Sequence, residues 1–233
     1  MLRSQLLALS LLVACTPHGD PSPNEGSEDP TPDQITVDAT VQVLDPMSGA
    51  GMADVTVQNS AGDSNTTDSE GRATVTVPGN ATFEVLLQRD GALDHLLFGP
   101  TSDLDFDYIT FMSTESLFST VQSMLGVSTA DGTGMLVVGI DYDDLSPAVG
   151  ASAAIDLAHD SPWLLGNMGA SFGDTIGEGV MGMVAFPNVE PGSATITVTP
   201  PEGTECTAFP GNHEMPPTPV GDDRVTVVTY HCR

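Results

Sequence analysis

The sequence predicts an all-β protein: two small antiparallel β-sandwich units with one short connecting helix, set behind a signal peptide and a disordered linker. Three observations predict this. Apolar and polar residues alternate over short runs from Ile35 onward, as half-buried strands require. The 233 residues include 24 Gly and 18 Pro but only 5% aromatics, a composition of short strands and many turns. A stretch of the second half also echoes the first. Five cations, all Arg, face 32 carboxylates, giving a formal charge of -27. Such a chain is repelled by phosphate backbones and anionic lipid surfaces, which excludes nucleic-acid binding.

Residues 1–14 read as a leader. Arg3 supplies a positive charge, and Leu6 to Val13 form an apolar core too short to span a bilayer. The core ends at Leu12-Val13-Ala14-Cys15, which resembles the lipobox of bacterial lipoproteins. That resemblance implies cleavage before Cys15 and acylation of Cys15, so that the protein is tethered to the membrane through lipid. Acyl chains contribute about 0.8 kcal/mol per buried methylene, and several of them make a durable anchor. Thr16 follows the cysteine where an inner-membrane retention signal would have Asp, which places the expected protein in the cell envelope at the outer membrane. The alternative is an ordinary secretory signal cleaved near Ala14. Residues 15–34 hold the lipidated Cys and a Pro-rich, acidic stretch with almost nothing to bury, expected to be an extended spacer.

The first unit spans residues 35–130. Ile35, Val37, Ala39, Val41 and Val43 are apolar at every second position. Asp45 to Gly51 turns, Val55 to Val57 is a strand, and Ala73 to Val77 and Thr82 to Leu87 continue the series. The second unit spans 134–233 and repeats parts of the first. Pro78-Gly79-Asn80-Ala81-Thr82-Phe83-Glu84-Val85 is echoed by Pro191-Gly192-Ser193-Ala194-Thr195-Ile196-Thr197-Val198, and Val41 to Asp45 by Leu136 to Asp141. The second copy carries about 17 extra residues, assigned to the Gly-rich stretch Gly166 to Gly182. Thr67-Asp68-Ser69-Glu70-Gly71-Arg72 forms an Asp-Gly turn, with Gly for positive φ and Asp for local backbone bonding. Together with Pro78-Gly79, this layout resembles the carboxypeptidase regulatory-like family of transthyretin-like or Ig-like sandwiches. The resemblance implies an accessory, non-catalytic domain.

Between the units, Ser113 or Thr114 can cap a helix over residues 115–125. Leu117, Phe118, Val121, Met124 and Leu125 form one apolar face, and Gly126 stops it. That face is expected to pack on a core. Cys206 and Cys232, an even pair in an exported chain, are expected to form a disulfide. The rival is a zinc site using His213 or His231, but the sequence has no C-x-x-C.

Three patterns could carry chemistry. Gly169-Ala170-Ser171-Phe172-Gly173 matches G-x-S-x-G, and Asp222 or Asp223 followed by His231 completes a hydrolase order, but a nucleophile elbow needs a helix after the serine. Gly177-Glu178-Gly179-Val180-Met181-Gly182 matches G-x-G-x-x-G ahead of a strand rather than after one, the reverse of a dinucleotide site. Asp103, Asp105 and Asp107, and Asp141, Asp143 and Asp144, offer oxygens suited to Ca²⁺; the alternation of Leu104, Phe106 and Tyr108 explains the first set as the wet face of a strand. The sequence therefore assigns no catalytic residue, cofactor or metal. It points to a lipid-anchored structural or adhesive module, whose partner is the membrane and a cell-surface glycan or envelope protein. The alternatives are a carbohydrate-, peptidoglycan- or Ca²⁺-binding module, with the segment Trp163 to Leu165 as its contact surface, and a hydrolase using Ser171.

Overall fold

The computed structural model describes residues 35–166 and 169–233. The leader, Cys15 and the linker lie outside them. The first half contains β1 (Thr36–Leu44), β2 (Thr56–Asn59), β3 (Ser64–Thr66), β4 (Arg72–Pro78), β5 (Thr82–Gln88), β6 (His95–Pro100), β7 (Phe106–Phe111) and α1 (Glu115–Leu125). There follow β8 (Gly134–Tyr142), β9 (Ser152–Ile155), β10 (Trp163–Gly166), β11 (Gly169–Phe172) and β12 (Val180–Val189). The chain continues through β13 (Gly192–Ala194), β14 (Ile196–Thr199), β15 (Cys206–Ala208), β16 (Thr218–Val220) and β17 (Val225–Cys232). The protein is thus nearly all β, as predicted. Among the described residues, no helix is long and apolar enough to cross a membrane.

A ten-stranded sheet organises the molecule in the order β11-β10-β12-β8-β17-β6-β5-β2-β3, with β15 also paired to β17. It runs through the connection at residues 130–134, because β17 lies between β6 of the first segment and β8 of the second. Both of these pairings are parallel, with Val225 opposite His95 on one side and Met135 on the other. The smaller sheet, β4-β1-β7, also holds a parallel pair, β1 with β7. Alternation gives the face on which a side chain lies but not the direction of the neighbouring strand, so these three parallel pairings depart from the antiparallel expectation.

The period of two then places two cores on opposite faces of the large sheet. Val225 and Val227 of β17, Met135 of β8, Ala185 of β12 and Trp163 of β10 point to one face, with the valines of β1 and β4 packed over part of it. Val228 and Tyr230, Leu136 and Val138, Val184 and Phe186, and Leu164 point to the other, beneath residues from the hairpin pairs β9-β14 and β13-β16.

Local signals behave as their chemistry dictates. Asp68 Oδ1 accepts from the backbone N–H groups of Glu70 and Arg72 at 2.8 and 3.0 Å, which holds its carboxyl below the usual range. Gly71 follows at φ 77, and a Cβ there would strike the Val43 carbonyl oxygen, so only glycine fits the turn. The helix occupies the expected span. Thr114 caps it by accepting from Leu117 N at 3.2 Å, and Gly126 ends it at φ 68. Val121 is buried, and Leu117, Phe118 and Leu125 pack against the first core. Thr114→Ala is expected to lower stability by about 1 kcal/mol in denaturant titration, with little change for the neighbouring Ser113→Ala.

Candidate functional site

The face of the large sheet that carries α1 is only partly covered by the smaller sheet, and the remainder forms a groove of about 770 Å³. One wall is Asp107 to Phe111 and the opposite wall Gly179 to Met183. Successive strand residues point to opposite faces, so when consecutive residues line one groove, it is the strand's edge that borders it. For β7 this follows from the topology: it is the end strand of its sheet, paired with β1 alone. Between the walls the large sheet contributes Gly139, Asp141, Val227, Thr229 and His231, which share one face by register.

Polar groups concentrate at one end of the groove. The Tyr108 and Thr229 hydroxyls share a hydrogen bond of 2.9 Å, and burial raises the Tyr108 pKa well above that of a free phenol. Asp141 lies opposite His231 in the ladder and packs over Gly182, where a Cβ would collide with its Oδ1. Burial pushes the Asp141 carboxyl up to about 7. Asp143 behaves differently because it is exposed and paired: Arg233 Nε donates to its Oδ2 at 2.9 Å, and His231 Nδ1 is 3.6 Å from its Oδ1. The His231 ring stacks on Phe209 with centroids 4.2 Å apart. Burial lowers its pKa despite the attraction of Asp143.

The sequence-derived candidates are dispersed. Ser171 sits on β11, at the end of the large sheet, opposite Leu164, and the chain after it bends rather than entering a helix. Four strand steps separate β11 from β17, about 19 Å at the usual interstrand spacing. Ser171 and His231 therefore do not meet, and no elbow forms. Asp105 Oδ1 accepts from Asp38 N at 2.8 Å, while Asp144 accepts from Ser146 N at 3.0 Å. These carboxylates are used in local structure, and among the described residues no three acidic, His or Cys side chains converge as a metal site. Trp163 is 8% exposed and belongs to the first core, so it presents no surface platform for a sugar. Cys206 and Cys232 are joined, facing one another across β15 and β17. The sequence did not single out Tyr108 with Thr229, or the walls of the groove as a pair. They come together only through strand register over more than a hundred residues, for which no local motif exists.

No protein-family model matches this chain, and neither does any curated protein. Among solved structures, it is similar to the TIE protein of Bacillus anthracis at 12% identity and TM-score 0.28, covering 85% of this chain and 34% of that one. A streptococcal ancillary pilin gives 13% identity and TM-score 0.27, with 86% and 63% covered. The shaft pilin SpaA of Lactobacillus rhamnosus GG gives 9% identity and TM-score 0.24, with 86% and 98% covered. The chain thus spans about a third of the first of these proteins and under two thirds of the second.

Proposed function

We propose that this protein is a lipid-anchored, non-catalytic module of the bacterial cell envelope that works as a structural and adhesive element by holding an extended segment of an envelope protein along its groove. The observation that carries this reading is the groove between the unpaired edge of β7, Asp107 to Phe111, and the opposite wall, Gly179 to Met183. The free edge of β7 offers main-chain donors and acceptors, which bind extended polypeptides by strand addition. The floor between the walls supplies room for side chains on alternate positions, and Asp107, with Asp141 once ionised, favours a partner carrying Lys or Arg.

Adhesion of intact cells to surfaces and to one another tests the reading, with wild type compared with Gly139→Leu. A Cβ on Gly139 meets only the Thr229 side chain and nearby backbone at 3.3 Å and beyond, so the larger residue fills the groove with modest adjustment. Adhesion is expected to fall to that of a deletion strain while the melting temperature and the disulfide persist. Undiminished adhesion in a folded Gly139→Leu protein refutes the groove. An esterase and glycosidase screen bears on the non-catalytic part: turnover lost in Ser171→Ala would refute it.

The anchor rests on Leu12-Val13-Ala14-Cys15 and outer-membrane placement on Thr16. Mass spectrometry of the mature protein is expected to find a triacylated or diacylated Cys15 at its N-terminus. An unmodified Cys15, or a start elsewhere, removes the anchor from the proposal.

A further inference from the structure

Beneath α1 lies a second hollow, separate in its lining from the groove, of about 270 Å³ and walled by Leu93, Phe118, Val121, Met135, Trp163 and Val225. A smaller hollow of about 60 Å³ adjoins it, sharing Phe118, Met135 and Trp163 as walls and lined further in by His95. His95 is 4% exposed, and neither of its ring nitrogens has a hydrogen-bond partner. It opens β6 on the same sheet face as Val225 and Leu87, its ladder neighbours, both apolar. A leucine would fill this position at no polar cost, whereas an orphaned buried donor or acceptor is destabilising, and folded proteins seldom carry one without a use for it. Burial lowers the imidazole pKa to about 4, so at neutral pH it presents one N–H donor and one bare nitrogen acceptor.

We propose that these two adjoining hollows together bind a small, uncharged aromatic molecule bearing a hydroxyl group, its ring against Trp163 and Phe118, which line both, and its hydroxyl hydrogen-bonded to His95. The walls set the apolar body: two aromatic faces and the Met135 thioether suit a single ring. The neutral imidazole sets the head group, because a hydroxyl can donate to its bare nitrogen or accept from its N–H. A charged head is disfavoured because most of the lining is apolar and entry would cost it its hydration. The larger hollow shares no lining residue with the groove, whereas the smaller one shares Thr110, Phe111, Met183 and Val227; Gly139 lines only the groove and His95 only the smaller hollow, so variants at these two positions let either proposal fail alone.

Trp163 is the single tryptophan of the chain and lines both hollows, so it reports occupancy directly. Titration of the full-length protein with p-cresol, followed by Trp163 fluorescence excited beyond the phenol band and by calorimetry, is expected to saturate. Binding should be about tenfold tighter than for toluene, which lacks the hydroxyl, the ratio that one neutral hydrogen bond supplies. Benzoate should bind more weakly than p-cresol. In His95→Phe the preference for p-cresol over toluene should disappear while the protein stays folded, and Val121→Phe, which fills the hollow, should abolish binding of both. If Val121→Phe fails to fold, Leu93→Phe serves the same purpose. The proposal is overturned if p-cresol gives no saturable signal, if toluene binds equally well, or if His95→Phe leaves the preference intact.

Discussion

Removing the disulfide with the double variant Cys206→Ala and Cys232→Ala is expected to lower stability by about 3.5 kcal/mol, the chain-entropy value for the loop closed by cysteines 26 residues apart. The loss should fall on the large sheet as a whole. Cys206 and Cys232 are partners in the β15-β17 ladder, and β17 is the strand on which β6, β8 and β15 all pair. Denaturant unfolding of the variant should therefore remain a single transition displaced to lower concentration. Separate early melting of residues 206–208 with the rest unmoved would contradict the central role given to β17. Reduction of the wild type should reproduce the shift.

The second large effect concerns pH, where two buried groups oppose one another. His95 has its pKa lowered from 6.5 to about 4. Between these values the unfolded chain binds a proton that the folded chain does not, so stability rises with pH, by about 3 kcal/mol in all. Asp141 has its pKa raised from 3.8 to about 7. Here the folded chain holds the extra proton, so stability falls as pH rises across that window, by about 4 kcal/mol. The two slopes nearly cancel from about pH 4 to 6.5, and wild-type stability should be close to flat there apart from the rise that His231, whose pKa burial also lowers, adds. Asp141→Asn should unmask the His95 slope, giving a protein that gains stability on going from pH 4 to 6.5 and exceeds the wild type at neutral pH. His95→Phe should do the reverse and lose stability as pH rises. Urea unfolding at half-unit steps of pH measures both, and a variant that keeps the flat wild-type profile refutes the assignment for its residue. Asp45, Asp68, Asp144 and Asp156, held low chiefly by hydrogen bonds from Ser48, Arg72, Ser146 and Thr195, add a loss confined to the acid side of this window.

What the sequence revealed and what it withheld divide along the range of the interactions. The helix span was legible to the residue, because Thr114, the apolar spacing from Leu117 to Leu125, and Gly126 are all local, although Met124, expected on the packed face, is exposed. The Asp68-Gly71 turn was legible for the same reason, and the cysteine pair because only Cys206 and Cys232 remained once Cys15 was set aside. Strand faces were legible in β1, whose pattern of Val37, Ala39, Val41 and Val43 is the buried row of the first core. Partnership was not. The residues of β17 alternate just as those of β1 do, yet they carry core on both faces, with Val225 and Val227 on one side and Val228 and Tyr230 on the other. A strand buried on both faces is specified by the surfaces that come to cover it and by the neighbours it joins, and its two parallel neighbours lie 90 and 130 positions away. The groove and the hollow under α1 were hidden for the same reason, since each is bounded by strands whose adjacency only β17 creates.

The position of β17 in the sheet also constrains how this protein can reach its fold. β6 and β8 are made before residues 225–232 exist, and each must wait with an open edge for the strand that will join them. Until then the chain holds two sticky templates of high β-propensity, and neither core can close, since both draw on β17. Folding is thereby deferred until residues 225–232 have been made, and it is slowed by the long loops that must be closed. The strand that completes the structure also acts as its timer.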